Sequence, residues 1–232
     1  MSRRRASELP AGEEKARAVR SMFDTIAGRY DLVNRVMTFG LDVGWRRRAV
    51  RSLALPRGAL VLDLACGTGD FCVELARAGH RAIGFDFAWG MLANARTEAP
   101  LAQADALRLP VADASADGVT CGFALRNVTS LDALLAEIAR VVRPGGRIAL
   151  LETATPRSGI ARAGHSVYVN RVVPMIGGML SDRAAYQYLP RSSAYLPAPA
   201  DLRAMLERSG FTHLVRYTLL LGSAQLITGS RA

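Results

Sequence analysis

The 232 residues are half apolar and carry 30 basic against 20 acidic side chains, a net charge of +10. This length fits one domain with a full core, and no apolar run is long enough for a membrane-spanning helix. The charge invites a nucleic-acid interpretation, but it is spread along the chain and is nearly all arginine, with Lys15 the only lysine. We therefore expect nucleic acid not to be the partner.

The start of the chain and its cysteines exclude further classes. No apolar stretch follows the positive residues at 3–5, so the sequence predicts no secretory signal. The three cysteines, Cys66, Cys72 and Cys121, are odd in number and lack metal-ligand spacing. We expect a cytoplasmic protein with reduced, buried thiols and no metal site.

The first predicted elements are a tail and two helices. Residues 1–15 are polar and charged, so we expect a disordered tail. Apolar residues recur at helical spacing from 16 to 34, and an arginine-rich helix is predicted over 43–53. We interpret residues 16–55 as a helical lid.

Short apolar strands then alternate with helices. The sequence predicts strands at 60–65, 81–85, 101–104, 117–123 and 147–152, and helices at 71–78, 90–97 and 131–142. The pattern breaks over the Pro- and Gly-rich residues 154–198 and resumes with a helix at 201–208 and strands near 212–218 and 223–228. Such alternation is typical of a mostly parallel sheet covered on both faces. We predict one α/β domain over 16–232 with seven strands, in which residues 154–198 cover the substrate.

The stretch Asp63-Leu-Ala-Cys-Gly-Thr-Gly69 lies between a strand and a helix, where α/β sheets bind ligands. It lacks the third glycine of a dinucleotide fingerprint. Asp70 at the start of the helix, and Asp63 at the strand end, would repel a diphosphate. S-adenosylmethionine has no phosphate and carries an ammonium and a sulfonium, so the loop favours this cofactor over a dinucleotide.

Two more carboxylates extend this candidate site. Asp86 ends the second strand and is suited to both ribose hydroxyls, although it could instead only cap the next helix. Phe87 and Met91 can pack on the adenine ring. Asp105 and the amide of Ala106 follow the third strand and are suited to the adenine edge, unless Asp105 is a solvated loop residue.

These stretches, with Arg143-Pro-Gly-Gly-Arg147, resemble the motif series of class I S-adenosylmethionine-dependent methyltransferases. The residues from Met22 to Asn34, those from Gly40 to Arg46, and Phe123-Ala-Leu-Arg-Asn-Val128 resemble the ubiquinone/menaquinone biosynthesis C-methyltransferase family more specifically. The resemblance runs nearly end to end over residues 20–152. It implies a Rossmann-like class I fold and methyl transfer to a ring carbon of a prenylated hydroquinone, of the demethylmenaquinol-to-menaquinol type.

The expected cofactor-binding residues are Asp63, Ala65, Gly67, Thr68, Gly69, Asp86, Phe87, Met91, Asp105, Ala106 and Gly122. For catalysis we expect Arg126 and Asn127, just past the fourth strand. An arginine stays protonated, so Arg126 would stabilise a phenolate or orient a water that accepts the proton. The alternative is a structural pair between Arg126 and a carboxylate such as Asp117.

Tyr30 is a further catalytic candidate, placed with Asp31 at the lid. Tyr30 would contact the methionine part of the cofactor, unless it is only a core aromatic. The three histidines, His80, His165 and His213, are scattered along the chain, and we expect each to be structural or exposed.

The second half of the chain leaves alternatives open. Residues 172–180 are apolar but too short to span a bilayer, so they would line a tunnel for a prenyl tail, lie on a membrane surface, or form a packed helical hairpin. The family closes with a strand containing a histidine that Leu221-Gly-Ser-Ala-Gln-Leu-Ile-Thr228 lacks, with Gln225 nearby. The alternative function is therefore methylation of another small molecule, such as a secondary metabolite. The expected partner is a lipophilic quinol, with peripheral contact at the inner face of the membrane and a homodimer left open.

Overall fold

Seven strands form one sheet in the computed structural model, which describes residues 11–156, 158–182, 185, 188 and 191–232. The strands are β1 (Leu60–Leu64), β2 (Arg81–Asp86), β3 (Leu101–Gln103), β4 (Ala116–Gly122), β5 (Val142–Thr153), β6 (Phe211–Leu219) and β7 (Ala224–Arg231). Their order is β3-β2-β1-β4-β5-β7-β6. The first five strands pair in parallel, and β7 runs antiparallel to both β5 and β6. The predicted seven-stranded, mostly parallel α/β fold is confirmed.

Helices cover the sheet on both faces. The described helices are α1 (Gly12–Ile26), α2 (Tyr30–Met37), α3 (Leu41–Ser52), α4 (Asp70–Arg77), α5 (Trp89–Ala93), α6 (Leu131–Val141), α7 (Gly159–Val167), α8 (Val173–Leu180) and α9 (Pro199–Arg208). Those that pack on the sheet are α3, α4, α5, α6 and α9. Short 3₁₀ turns lie at Ala27–Arg29, Ser193–Tyr195 and Leu220–Gly222. Among the described residues, no helix has the length and apolarity to cross a bilayer.

The strand residues alternate between two cores. Leu62 and Leu64 of β1 pack on the side covered by α6 and α9, whereas Val61 packs on the side of α3 and α4. Successive strand side chains point to opposite faces, so this central strand is apolar throughout and buried on both sides. Only Asp63 interrupts it, near its carboxyl end.

The predicted disordered tail is wrong from Gly12 onward, because α1 begins there. Glu13 and Glu14 lie in its first turn, where negative side chains stabilise the positive helix end. Lys15 is buried and donates from Nζ to the carbonyl of Val128, 2.6 Å away. Residues 1–10 of the predicted tail lie outside the described residues.

Residues 159–180 form one helical run, not a hairpin. The backbone at Val167, Tyr168, Val172 and Val173 is right-handed helical, and the turn over Tyr168–Val172 is widened to π geometry. Pro174 follows this turn. Proline cannot form the usual α-helical hydrogen bond to the preceding turn, which accounts for the wider π turn before it.

Candidate functional site

The loop after β1 is a tight turn held by left-handed residues. Ala65, Gly67 and Gly69 have φ of 52°, 57° and 90°. A Cβ on Gly69 would lie 2.5 Å from Cγ2 of Thr97. The loop therefore needs glycine at 69, and it brings its backbone to the carboxyl edge of the sheet.

A cleft with about 750 Å³ of empty space opens at this edge. Its walls bring together eight of the eleven predicted cofactor residues: Ala65, Gly67, Asp86, Phe87, Met91, Asp105, Ala106 and Gly122. A smaller cavity is lined by Asp63 and Thr68, and it shares Tyr30, Ala65, Gly67 and Gly122 with the cleft. Gly69 lines neither and acts by shaping the turn.

The two carboxylates predicted to bind the nucleoside lie in the cleft, with different surroundings. Asp86 is buried and accepts two backbone bonds of 2.8 Å, from Gly67 and from Ala88 just before α5. The bond from Ala88 is the contact that Asp86 would make if it only capped the next helix. Burial raises the pKa of Asp86. Asp105 is exposed and accepts from the amide of Leu107 at 2.9 Å.

Asp63 is the most strongly perturbed carboxyl of the smaller cavity. It is buried, and its oxygens accept from the hydroxyl of Thr120 at 2.8 Å and from the thiol of Cys72 at 3.7 Å. Burial raises the pKa of Asp63 to about 7. An ammonium group in this cavity would favour its ionised form.

The lid helices are tied to the loop by charged side chains that the sequence interpretation missed. Asp70 accepts from Arg35 at 2.9 Å and forms an ion pair with Arg46 at 3.2 Å, and both arginines pair with the buried Asp42. Asp70 is thus compensated, which weakens the argument that it repels a diphosphate. Arg46 lines the small cavity as a buried cation.

A second contact closes the lid on the loop. The hydroxyl of Thr68 donates to Asp31 at 2.5 Å, and burial raises the pKa of Asp31. Tyr30 lies beside it and lines all three cavities around this loop. Its ring packs edge-on against Phe23 with centroids 5.9 Å apart, so Tyr30 is both a core aromatic and a wall of the site.

A second cavity adjoins the first cleft under the lid. The two share a wall made of Phe23, Tyr30, Phe123 and Asn127. Helices α1 and α2 and the 159–180 helix contribute apolar side chains to it, namely Met22, Ile26, Met37, Tyr168, Val169 and Val173. An apolar ring could therefore lie against this wall with a second ligand on its other side.

Arg126 lines the second cavity and is held by a partner other than the one the sequence suggested. Its guanidinium forms a buried ion pair with Glu152 at the end of β5, and Nε donates to Ser192 at 3.2 Å. Asp117 instead pairs with Arg143 at 2.6 Å. Glu152 was not singled out in the sequence, although a carboxylate ending a parallel strand is a signal for a site at that edge.

Two polar atoms in this cavity's walls are buried without a hydrogen-bond partner among the described residues. They are Oδ1 of Asn127, whose Nδ2 donates to Phe123 at 3.1 Å, and the hydroxyl of Tyr188. Buried polar groups are nearly always satisfied, so both favour a polar ligand group here. His165, expected to be structural or exposed, also lines this cavity.

The altered C-terminal strand contributes little to either cavity. Ser223 and Ala224 line the second one, while the lining includes none of residues 225–228. Gln225 is buried and hydrogen-bonded to Arg216 at 2.6 Å and to the carbonyl of Thr153 at 3.2 Å.

Across the described part of the chain, no group of His, Cys, Asp and Glu side chains forms a metal site. All three cysteines are buried and free.

Comparison with known proteins agrees with this geometry. The model of the ubiE/COQ5 methyltransferase family matches residues 11–229. The chain is 42% identical to a demethylmenaquinone methyltransferase of Roseiflexus castenholzii, over 95% of this chain and 96% of the relative. It is 38% identical to a ubiquinone/menaquinone biosynthesis C-methyltransferase of Geobacter sulfurreducens, over 94% and 90%. A solved S-adenosylmethionine-dependent methyltransferase of Thermotoga maritima superposes with a TM-score of 0.65 at 18% identity, over 92% of this chain and all of that one, which shows the shared class I fold.

Proposed function

Because the chain belongs to the ubiE/COQ5 methyltransferase family, we propose that it methylates a ring carbon of a prenylated hydroquinone of the demethylmenaquinol type. It is an S-adenosylmethionine-dependent methyltransferase. The main support for this acceptor is the pair of adjoining cavities, whose common wall includes Tyr30 and Asn127.

The cofactor fits the first cleft and the smaller cavity together. Asp86 would accept the hydrogens of the ribose hydroxyls. Asp105 and Ala106 would face the adenine edge, and Phe87 and Met91 would pack on the ring, since all of them line the cleft. At the other end, Asp63 is suited to the amino group and Arg46 to the carboxylate of the methionine part. Bound there, S-adenosylmethionine supplies an electrophilic methyl group on its sulfonium.

The acceptor ring fits the second cavity. Ring carbons become nucleophilic when a neighbouring hydroxyl loses its proton, and Arg126 would stabilise the negative charge on that oxygen. Its ion pair with Glu152 and its bond to Ser192 fix the guanidinium for this role. Asn127 and Tyr30 would hold the ring against the shared wall, since orientation supplies much of the rate gain.

Product analysis tests the acceptor. The protein is incubated with S-adenosylmethionine and a short-chain demethylmenaquinol kept reduced, and the mass of the quinone product is followed. We expect an added mass of one methylene for the wild type and for Arg143→Ala, whose guanidinium pairs with Asp117 at the far end of β5. Arg126→Ala should lose turnover while calorimetry still shows cofactor binding. Cofactor binding without turnover in the wild type would reject this acceptor.

We also propose that an anionic membrane surface is the docking partner. Phe39 and Leu221 are 75% and 84% exposed and have φ of 54° and 53°, strained values for bulky residues. Both flank the second cavity: the Phe39 ring packs on that of Tyr168, and Leu221 follows the lining residue Leu220. Two exposed arginines, at 162 and 171, lie on the adjoining helix and would meet acidic headgroups. The homodimer stays a prediction.

Vesicle co-sedimentation tests this docking. Wild type should bind phosphatidylglycerol vesicles more than phosphatidylcholine vesicles, and the double variant Phe39→Ser/Leu221→Asn should lose most of that binding. Trp89→Ser, at an exposed aromatic of α5 that is 63% exposed, is the control. Equal loss in both variants, or equal binding to both vesicles, would contradict the proposal.

A further inference from the structure

The described residues that line the second cavity include seven titratable side chains. They are Tyr30, Asp42, Arg46, Arg126, His165, Tyr168 and Tyr188. Methylation at a ring carbon needs one group that takes the proton from the neighbouring hydroxyl. Such a base must be unprotonated near neutral pH and must face the acceptor.

Six of the seven do not meet this requirement. Burial raises the pKa of all three tyrosines, to about 12 for Tyr188, so they keep their protons. Both arginines stay protonated. Burial would raise the pKa of Asp42, but the guanidinium groups of Arg46 and Arg35 and the Thr38 hydroxyl outweigh it and hold this pKa below its usual range. Asp42 is therefore a poor base.

His165 is the remaining group. It lies on α7, one turn before Tyr168, and both side chains line the cavity. The Tyr168 hydroxyl donates to the carbonyl of Met37 at 2.7 Å, which fastens this helix to the lid over the same cavity. Partial burial lowers the pKa of His165, so its imidazole is neutral at pH 7 and has a lone pair available.

We propose that His165 is a further catalytic residue, whose imidazole accepts the proton of the acceptor's ring hydroxyl. The inference rests on the proposed function, because it assumes that the acceptor ring occupies the second cavity. It divides the chemistry between two side chains that line the same cavity: Arg126 stabilises the phenolate that His165 creates.

Methyl transfer to the ring carbon conserves protons and electrons. The hydroxyl proton moves to an imidazole nitrogen, and the oxygen's electrons make the neighbouring ring carbon nucleophilic. That carbon bonds to the methyl group as the methyl–sulfur bond breaks, and the electron pair stays on sulfur. The ring carbon then loses its hydrogen as a proton, and the imidazolium returns a proton to the oxygen. One proton is released to solvent per turnover, and nothing is oxidised or reduced.

The pH dependence of kcat/KM for the acceptor, at saturating cofactor, tests the role of His165. When the cofactor is saturating, the ionisation of Asp63 does not affect the pH profile of kcat/KM. For the wild type the rate should fall as the pH drops through the His165 pKa, below its ordinary value of about 6.5. His165→Asn should lower kcat by roughly 100-fold or more, the usual contribution of general base catalysis, and lose that acid limb. Added imidazole should restore part of the rate of His165→Ala.

Control variants separate this inference from the proposed function. His213→Asn, at an exposed histidine on β6 with φ of 50°, should keep the wild-type profile. Cofactor affinity by calorimetry should be unchanged in His165→Asn. If the wild type methylates the quinol and His165→Asn keeps its rate and acid limb, the role of His165 is refuted while the proposed function stands. If the wild type binds cofactor and methylates no quinol, the proposed function itself fails.

Discussion

The ion pair between Arg126 and Glu152 permits a quantitative prediction about stability. Both side chains are buried, and Glu152 has no exposed surface. Glu152→Gln preserves the shape of the side chain but leaves the Arg126 charge unpaired in the interior. Removing one partner of a buried pair costs about 3–5 kcal/mol, because the other charge stays desolvated. For a domain of this size, that corresponds to a fall in Tm of roughly 6–20 °C.

Thermal and urea unfolding of three variants would measure this effect. Glu207→Gln is the matched control, because Glu207 pairs with Arg203 on α9 with both side chains about half exposed, and its loss should cost under about 1 kcal/mol. In the double variant Arg126→Met/Glu152→Gln, the loss should be smaller than in Glu152→Gln alone, because no unpaired charge remains. Equal destabilisation by Glu152→Gln and Glu207→Gln would refute the reasoning.

Two further predictions concern the cofactor site. Asp63 has a pKa of about 7 in the free protein, so cofactor affinity by calorimetry should rise about tenfold from pH 6 to pH 8 as this carboxyl ionises, and Asp63→Asn should abolish that rise. Gly69→Ala should destabilise the protein by about 1–3 kcal/mol more than Gly145→Ala in urea unfolding, because both have positive φ but only the Gly69 Cβ meets Thr97.

The fold was largely predictable because its signals are local. Continuous apolar strands alternating with amphipathic helices identified the seven-stranded sheet, and the glycine turn after β1 identified its binding edge. Predicted helix boundaries were wrong where tertiary contacts determine them. The first turn of α1 forms around Lys15, whose partner Val128 lies far along the chain.

The candidate site was most predictable where its residues belong to strand ends, although Tyr30 and Met91, which lie on helices, were also predicted. Asp86 and Asp105 follow β2 and β3 and lie in the same cleft, as expected. The lid network was not predictable, because Arg46 and Asp70 belong to different helices whose packing determines the pairing. His165 gave no signal of its own, since only the path of the 159–180 helix brings it to the second cavity.

Transfer of a labelled methyl group tests the central claim most directly. The protein is given short-chain demethylmenaquinol and S-adenosylmethionine with a deuterated methyl group, and the product is analysed by mass spectrometry and proton NMR. Methylation at carbon predicts that the ring-proton signal disappears and the label resides on a ring carbon. A product that retains the ring proton and carries the label on oxygen, or no labelled quinone despite bound cofactor, would contradict the account.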